Sequence, residues 1–402
     1  ALNLTGSDNV AMGYNAGLSV TTGIQNTLIG TQAGDALTDA DDNVAVGKSA
    51  LSGDTLGSNS VAVGQATLAN QNFTTATDSN NVAVGYNAGN AVTTGINNTI
   101  IGALAGDALT DADYNVAVGT EALSTDTLGN RSTAIGRKAL FTQNFTTATS
   151  AYNVAMGYNA GVLITTGVQN TIIGSLSGDA LTDADFNTVL GYNALSTETL
   201  GSRSVAIGFQ ALLDQNFTTA TDNYNVAVGY NAGTNVTTGI KNTIIGGLAG
   251  DSLNDADFNV ALGYQALSFD QKGNNSVAIG HQALTTQRFA TSTDSYNVAV
   301  GAQAGQEVTT GASNTLIGGL AGDALTTGNS NVAVGTASLT TDTLGDRAVA
   351  IGVGALENQN FTTSTDNYNV AVGRDAGNDI TTGTTNTLIG GLAGDALTDA
   401  DS

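Results

Sequence analysis

The chain has 402 residues, 10 of them basic and 34 acidic, for a formal net charge of −24; it carries 52 glycines and neither cysteine nor proline. Ten scattered Lys and Arg in so acidic a chain leave no footprint for nucleic acid. An anionic membrane repels the chain, and no apolar run reaches the ~18–20 residues of a membrane span. The lack of cysteine excludes disulfides, thiolate zinc sites and cysteine nucleophiles.

In chain order, Ala1-Leu2-Asn3-Leu4 has neither the basic start nor the apolar stretch of a signal peptide, so secretion requires a leader outside this sequence. The motif Asn-Val-Ala-Val-Gly, or a close relative, then begins at Asn9, Asn26, Asn43, Ser60 and Asn81, in steps of 17, 17, 17 and 21 residues. This 72-residue cycle restarts at Asn81, Asn153, Asn225, Asn297 and Asn369, which makes 22 units. No linker interrupts them, and residues 1–402 read as a single elongated domain.

Each unit reads as one turn of an all-β parallel solenoid. Seventeen residues are too few for a helical hairpin, and Gly, Thr, Asn and Val favour strands and turns. Position 5 is Gly in all 22 units, as a tight corner after a short strand requires. Position 8 is Ala in 19 units, which suits a narrow interior. Position 1 is Asn in 17 units, Ser in four and Ala only at Ala348; aligned turn on turn, the Asn column predicts a hydrogen-bonded ladder along the axis.

Position 4 is always large and apolar (Met12, Ile29, Val46, Val63), and position 2, Val or Thr, points the same way. Position 3, on the other strand face, is apolar too. It is mostly Ala, with Leu28, Ile100, Ile172, Ile244, Leu316 and Leu388 once per cycle. A strand apolar on both faces is buried on both. We expect positions 2 and 4 to fill the lumen and position 3 to meet another chain. Stacking at ~4.8 Å per turn gives a rod on the order of 100 Å. Its uncapped ends suit head-to-tail stacking into a filament or a longer fibre.

Asn59-Ser60-Val61-Ala62-Val63-Gly64 and Asn275-Ser276-Val277-Ala278-Ile279-Gly280 resemble the head repeats of trimeric autotransporter adhesins, the YadA-like family. Similar Asn-Thr-Ile-Ile-Gly and Tyr-Asn-Ala-Gly repeats look like those of phage tail fibres and other secreted fibrous proteins. The resemblance implies a left-handed β-roll, a homotrimer, an extracellular, cell-surface or virion location, and a role as adhesin or fibre shaft with a host or surface glycan or protein as receptor. The units of 17 and 21 residues are longer than the family's usual repeat, so their corners protrude.

The best ligand candidate is an acidic corner. Asp35, Asp39 and Asp41 recur as Asp107, Asp111 and Asp113, and as Asp179, Asp183 and Asp185. Alternate carboxylates in a loop supply the hard oxygens that calcium prefers; the plainer reading is Asp as a turn residue and solvating charge. The 21-residue unit adds an aromatic at Phe73, Phe145, Phe217, Phe289 and Phe361, and another at Tyr152, Tyr224, Tyr296 and Tyr368; exposed, the series would contact sugars or another surface, and buried, as is expected, it covers the extra loop or a seam between chains. Tyr14, Tyr86, Tyr158 and Tyr230 at position 6 suit an outward stripe. The pairs Thr21-Thr22 and Thr93-Thr94 return only every fourth unit, too sparsely for an ice-binding face.

Catalysis finds no support. The one histidine, His281, has Gln65, Arg137 and Phe209 as its counterparts. The sequence therefore points to a self-associating structural or adhesive fibre with no catalytic residues. A phage tail-fibre shaft and a calcium-dependent binding module are the alternatives.

Overall fold

The computed structural model describes residues 7–401; Ala1 to Leu4 lie outside the described residues. The chain divides into two compact units, one running to Ser202 and taking in Thr218–Ala220, the other formed by Arg203–Phe217 and Thr221–Ser402. Both are built from parallel β-solenoid turns, without helix among the described residues. Among the described residues no helix is long and apolar enough to cross a membrane.

In the first unit, eleven three-residue strands run from Val10–Met12 to Thr188–Leu190. Successive strands pair in parallel and strictly in register, as with Val82↔Thr99, Ala83↔Ile100 and Val84↔Ile101. In the second unit, eleven more run from Val205–Ile207 to Thr387–Ile389, with Val226↔Thr243, Ala227↔Ile244 and Val228↔Ile245 as one of their ladders. The 21-residue turns add a two-residue ladder, Gly57–Ser58 with Thr77–Asp78 in the first unit and Gly273–Asn274 with Thr293–Asp294 in the second.

The Asn column forms the expected ladder, but it bonds mainly to backbone. Asn98 Oδ1 accepts the Asn115 N–H of the next turn at 2.9 Å, and Asn98 Nδ2 donates to the Ala112 carbonyl at 2.7 Å. Asn242 does the same in the second unit, with Asn259 N–H at 2.9 Å and the Ala256 carbonyl at 2.8 Å. Both side chains are fully buried, so each bond also satisfies a backbone group that has no water to turn to.

The two strand faces are the reverse of the sequence expectation. Position 3 fills the lumen: Ala45, Ala83, Ile100 and Ile244 are 0% exposed. Positions 2 and 4 lie outside and are half-exposed, as the strands Val82–Val84 and Val226–Val228 show. The reason is volume complementarity. Where position 3 is Leu or Ile, position 9 of the same turn and of the turn before is Gly. A Cβ at Gly89 would stand 2.9 Å from Ile100 Cδ1, and one at Gly34 would stand 2.8 Å from Leu28 Cδ2. Where position 3 is Ala, position 9 of the last two turns of the cycle is Leu, as at Leu51 and Leu68, both fully buried. Large and small residues alternate across the lumen, so the Leu or Ile of each cycle is covered within its own chain.

Candidate functional site

The inverted faces leave an outer stripe of Val, Thr, Ile, Leu and Met from positions 2 and 4. Ile101 is 39% exposed, Met156 41%, Leu262 41% and Ile317 38%. One such residue is unremarkable on a soluble surface, but a column of them on successive turns within each unit is a candidate interaction face.

A second outer face is polar. Thr21, Thr38 and Thr55 stand at position 13 of successive turns, so threonine recurs more often than the pairs alone suggested. Their hydroxyls are committed to the stack: Thr21 Oγ1 donates to the Thr38 carbonyl at 3.2 Å and Thr38 Oγ1 to the Thr55 carbonyl at 3.1 Å. In the second unit this face holds a shallow trough of about 370 Å³ lined by Asp214, Asn235, Thr237, Ser252, Asn254 and Gln271.

The acidic corners do not converge. Asp41, Asp113 and Asp185 each accept a backbone N–H of the preceding turn, from Ile24, Ile96 and Val168 at 2.8, 2.8 and 2.7 Å. Asp39, Asp111 and Asp183 accept hydroxyls from Thr22, Thr94 and Thr166. Asp35, Asp107 and Asp179 are partly buried, and in each the Oδ1 atom has no hydrogen-bond partner. Among the described residues no group of three His, Cys, Asp or Glu side chains is placed to hold a metal ion.

Burial pushes the carboxyls of Asp35, Asp107, Asp179 and Asp323 above the usual range, and takes Asp251, their counterpart in the fourth cycle, to about 6. These groups hold a proton more tightly folded than unfolded. The stability they add is full below about pH 4 and is lost as pH rises through the folded value. The melting temperature is therefore expected to rise by a few degrees between pH 7.5 and pH 5. The Asp251→Asn variant is expected to lose about 1 kcal/mol of that gain, a figure discounted for partial exposure. A melting temperature that falls over this interval in the wild type would contradict the assignment.

The extra corner of the 21-residue unit is held by residues that sequence reasoning passed over. Position 12 faces the lumen and is apolar in the first two turns of a cycle, as at Val92 and Leu109, but it is Asp126 and Gln143 in the next two. Asp126 is 0% exposed. Its Oδ1 accepts the N–H groups of Gly129 and Phe145 at 3.0 and 3.1 Å, and its Oδ2 accepts Gln143 Nε2 at 2.6 Å. Gln143 Oε1 in turn accepts Asn153 Nδ2 of the ladder at 2.9 Å. The signal was available: an acidic residue and a glutamine at a position that is Val, Ile or Leu in the other turns.

The two aromatic series part company. Phe73, Phe145 and Phe289 are buried beside the one carboxylate of each long corner, at 5–6% exposure. Tyr152, Tyr224, Tyr296 and Tyr368 are exposed instead, because they occupy a left-handed corner, with φ of 51° at Tyr152. Tyr152 and Tyr114 hold the Arg131 guanidinium between them at 5.6 and 5.4 Å from the ring centroids. The position 6 tyrosines lie on the surface, as expected. His281 is exposed and stacks on Tyr264 at 5.9 Å.

The family model described as the YadA head domain repeat (2 copies) matches residues 56–77, 260–283 and 272–293. These are YadA-like head repeats. The matched segments include both stretches singled out from sequence, and they fall in both compact units. No curated protein matches the chain. YadA-like head repeats mark an adhesin-like structural fibre protein of the extracellular space or cell surface. They belong to assemblies of several copies rather than to an enzyme family. An apolar outer stripe and a filled lumen suit that role.

Proposed function

We propose that the chain is a shaft segment of an extracellular or surface adhesive fibre, and that three copies meet through the stripe of positions 2 and 4. The observation that carries this reading is the half-exposed apolar column on every strand of both units. Non-polar area of that extent gains from association, while the chain's own lumen is already filled. A phage tail-fibre shaft requires the same construction and is the alternative in the same class.

The test is the solution mass, read by light scattering during size exclusion. A mass near three times the 40.0 kDa chain is expected. Replacing Ile101 and Ile317 by Asp places charge on the stripe at positions the single chain tolerates, and shifts the mass toward one chain without melting the solenoid. A single-chain mass for the wild type sinks the trimer. Calcium added during the melting experiment tests the acidic corners: a rise of several degrees that a chelator reverses would favour a calcium-dependent module, and indifference to both would remove it.

A further inference from the structure

We propose that each compact unit carries a notch on its position 6 column that takes the ring of a neutral sugar, which on the adhesive-fibre reading is the chemistry of its receptor. In the second unit the column runs Phe209, Tyr230, Gly247, Tyr264 and His281 on five successive turns. Phe209 and Tyr230 stack with centroids 5.3 Å apart and planes within 9°, and Tyr264 and His281 stack at 5.9 Å and 11°. Gly247 interrupts the column between the two stacks. A Cβ there would meet only the Tyr264 ring, at 3.6 Å, so the floor of the notch is open. The first unit repeats the arrangement with Tyr158, Ser175 and Tyr192, and the Arg137 guanidinium backs Tyr158 at 5.7 Å.

Three observations select the ligand. The walls stand two turns apart, about 9.5 Å at the β spacing. A flat ring in contact on both faces needs only about 7 Å, so a puckered pyranose, thicker and lined with C–H bonds, fills the width better. Its C–H faces meet the electron-rich faces of Tyr230 and Tyr264. The walls are exposed, and both in the second unit are held by their stacks on the far side, so little side-chain freedom is lost on binding.

Beside the walls, the side-chain carbonyl oxygens of Asn159, Asn193 and Asn231 have no hydrogen-bond partner, although each is covered. Every one follows a wall tyrosine directly in sequence, and once the side chain turns toward the notch a sugar hydroxyl is the donor each lacks. The net charge of −24 disfavours anionic sugars.

The test is saturation-transfer NMR on the full chain, with lactose, maltose and chitobiose as probes and sialyllactose and indole alongside. Transfer to ring C–H protons of at least one neutral disaccharide is expected. The double variant Ser175→Phe, Gly247→Phe completes both stacks and should weaken that transfer at least tenfold with the solenoid intact by circular dichroism; Tyr158→Ala with Tyr230→Ala removes a wall from each notch and should do the same. No transfer to any neutral disaccharide, transfer that survives filling of the notches, or preference for indole or sialyllactose would overturn the proposal. The solution mass of the same samples separates this result from the fibre reading. A trimer that ignores sugars refutes the notch alone, and a single chain that binds them refutes the trimer alone.

Discussion

Gly246→Ala is expected to cost about 3 kcal/mol or more, whereas Gly247→Ala, one residue on, stays within about 0.5 kcal/mol of wild type. Gly246 is the position 5 glycine of its turn, with φ of +135°, and a Cβ there would stand 2.4 Å from the Gly263 carbonyl oxygen of the next turn. That atom is backbone inside a stacked ladder and cannot move aside. Gly247 has neither a left-handed φ nor a backbone neighbour within reach. Solenoid turns contact only their neighbours, so the damage from Gly246→Ala is local. It should appear as fast amide exchange around residues 226–263 before the rest of the chain opens. Equal urea midpoints for the two variants would refute the stacking argument.

Asp126→Ala is expected to destabilise the first unit by about 3–5 kcal/mol, although it removes a negative charge from a chain of net −24. Without the carboxylate, the N–H groups of Gly129 and Phe145 have no acceptor in a space closed to water, and Gln143 Nε2 keeps only Ser132 Oγ, at 2.9 Å. Asp126→Asn keeps one oxygen for the two N–H groups but turns an amide donor toward Gln143, so a loss of about 2 kcal/mol is expected. Asp111→Ala serves as the control: its carboxylate meets only an exposed threonine hydroxyl, and the change should be near neutral. Urea denaturation of the three variants decides it. If Asp126→Ala is as mild as Asp111→Ala, the buried carboxylate does not hold the long corner.

The third cycle and the fifth extend the comparison. Glu198 replaces Asp in the third, and its Oε1 accepts the Gly201 N–H at 2.7 Å, so the longer acid reaches the same corner group. In the fifth cycle Ala348 stands where the others have Ser. Asp342 still accepts Gln359 Nε2 at 2.6 Å. The carboxylate and glutamine are thus kept while the serine varies, which fits a latch whose essential bond is the one between Asp and Gln.

The sequence by itself determined the solenoid, its 17- and 21-residue turns, the glycine corners and the asparagine ladder. Each of these is a demand that one backbone position makes at every turn, so it repeats in the sequence and can be counted there. Only the tertiary structure decided which strand face is inside, which aromatics are covered, and that Asp126 and Gln143 meet in the lumen. Alternation along a three-residue strand separates two faces without saying which one is the core. That choice rests on volumes and hydrogen bonds between residues about 10 to 20 apart in sequence, such as Gly89 with Ile100 and Asp126 with Gln143, which become neighbours only once the turns are stacked in register.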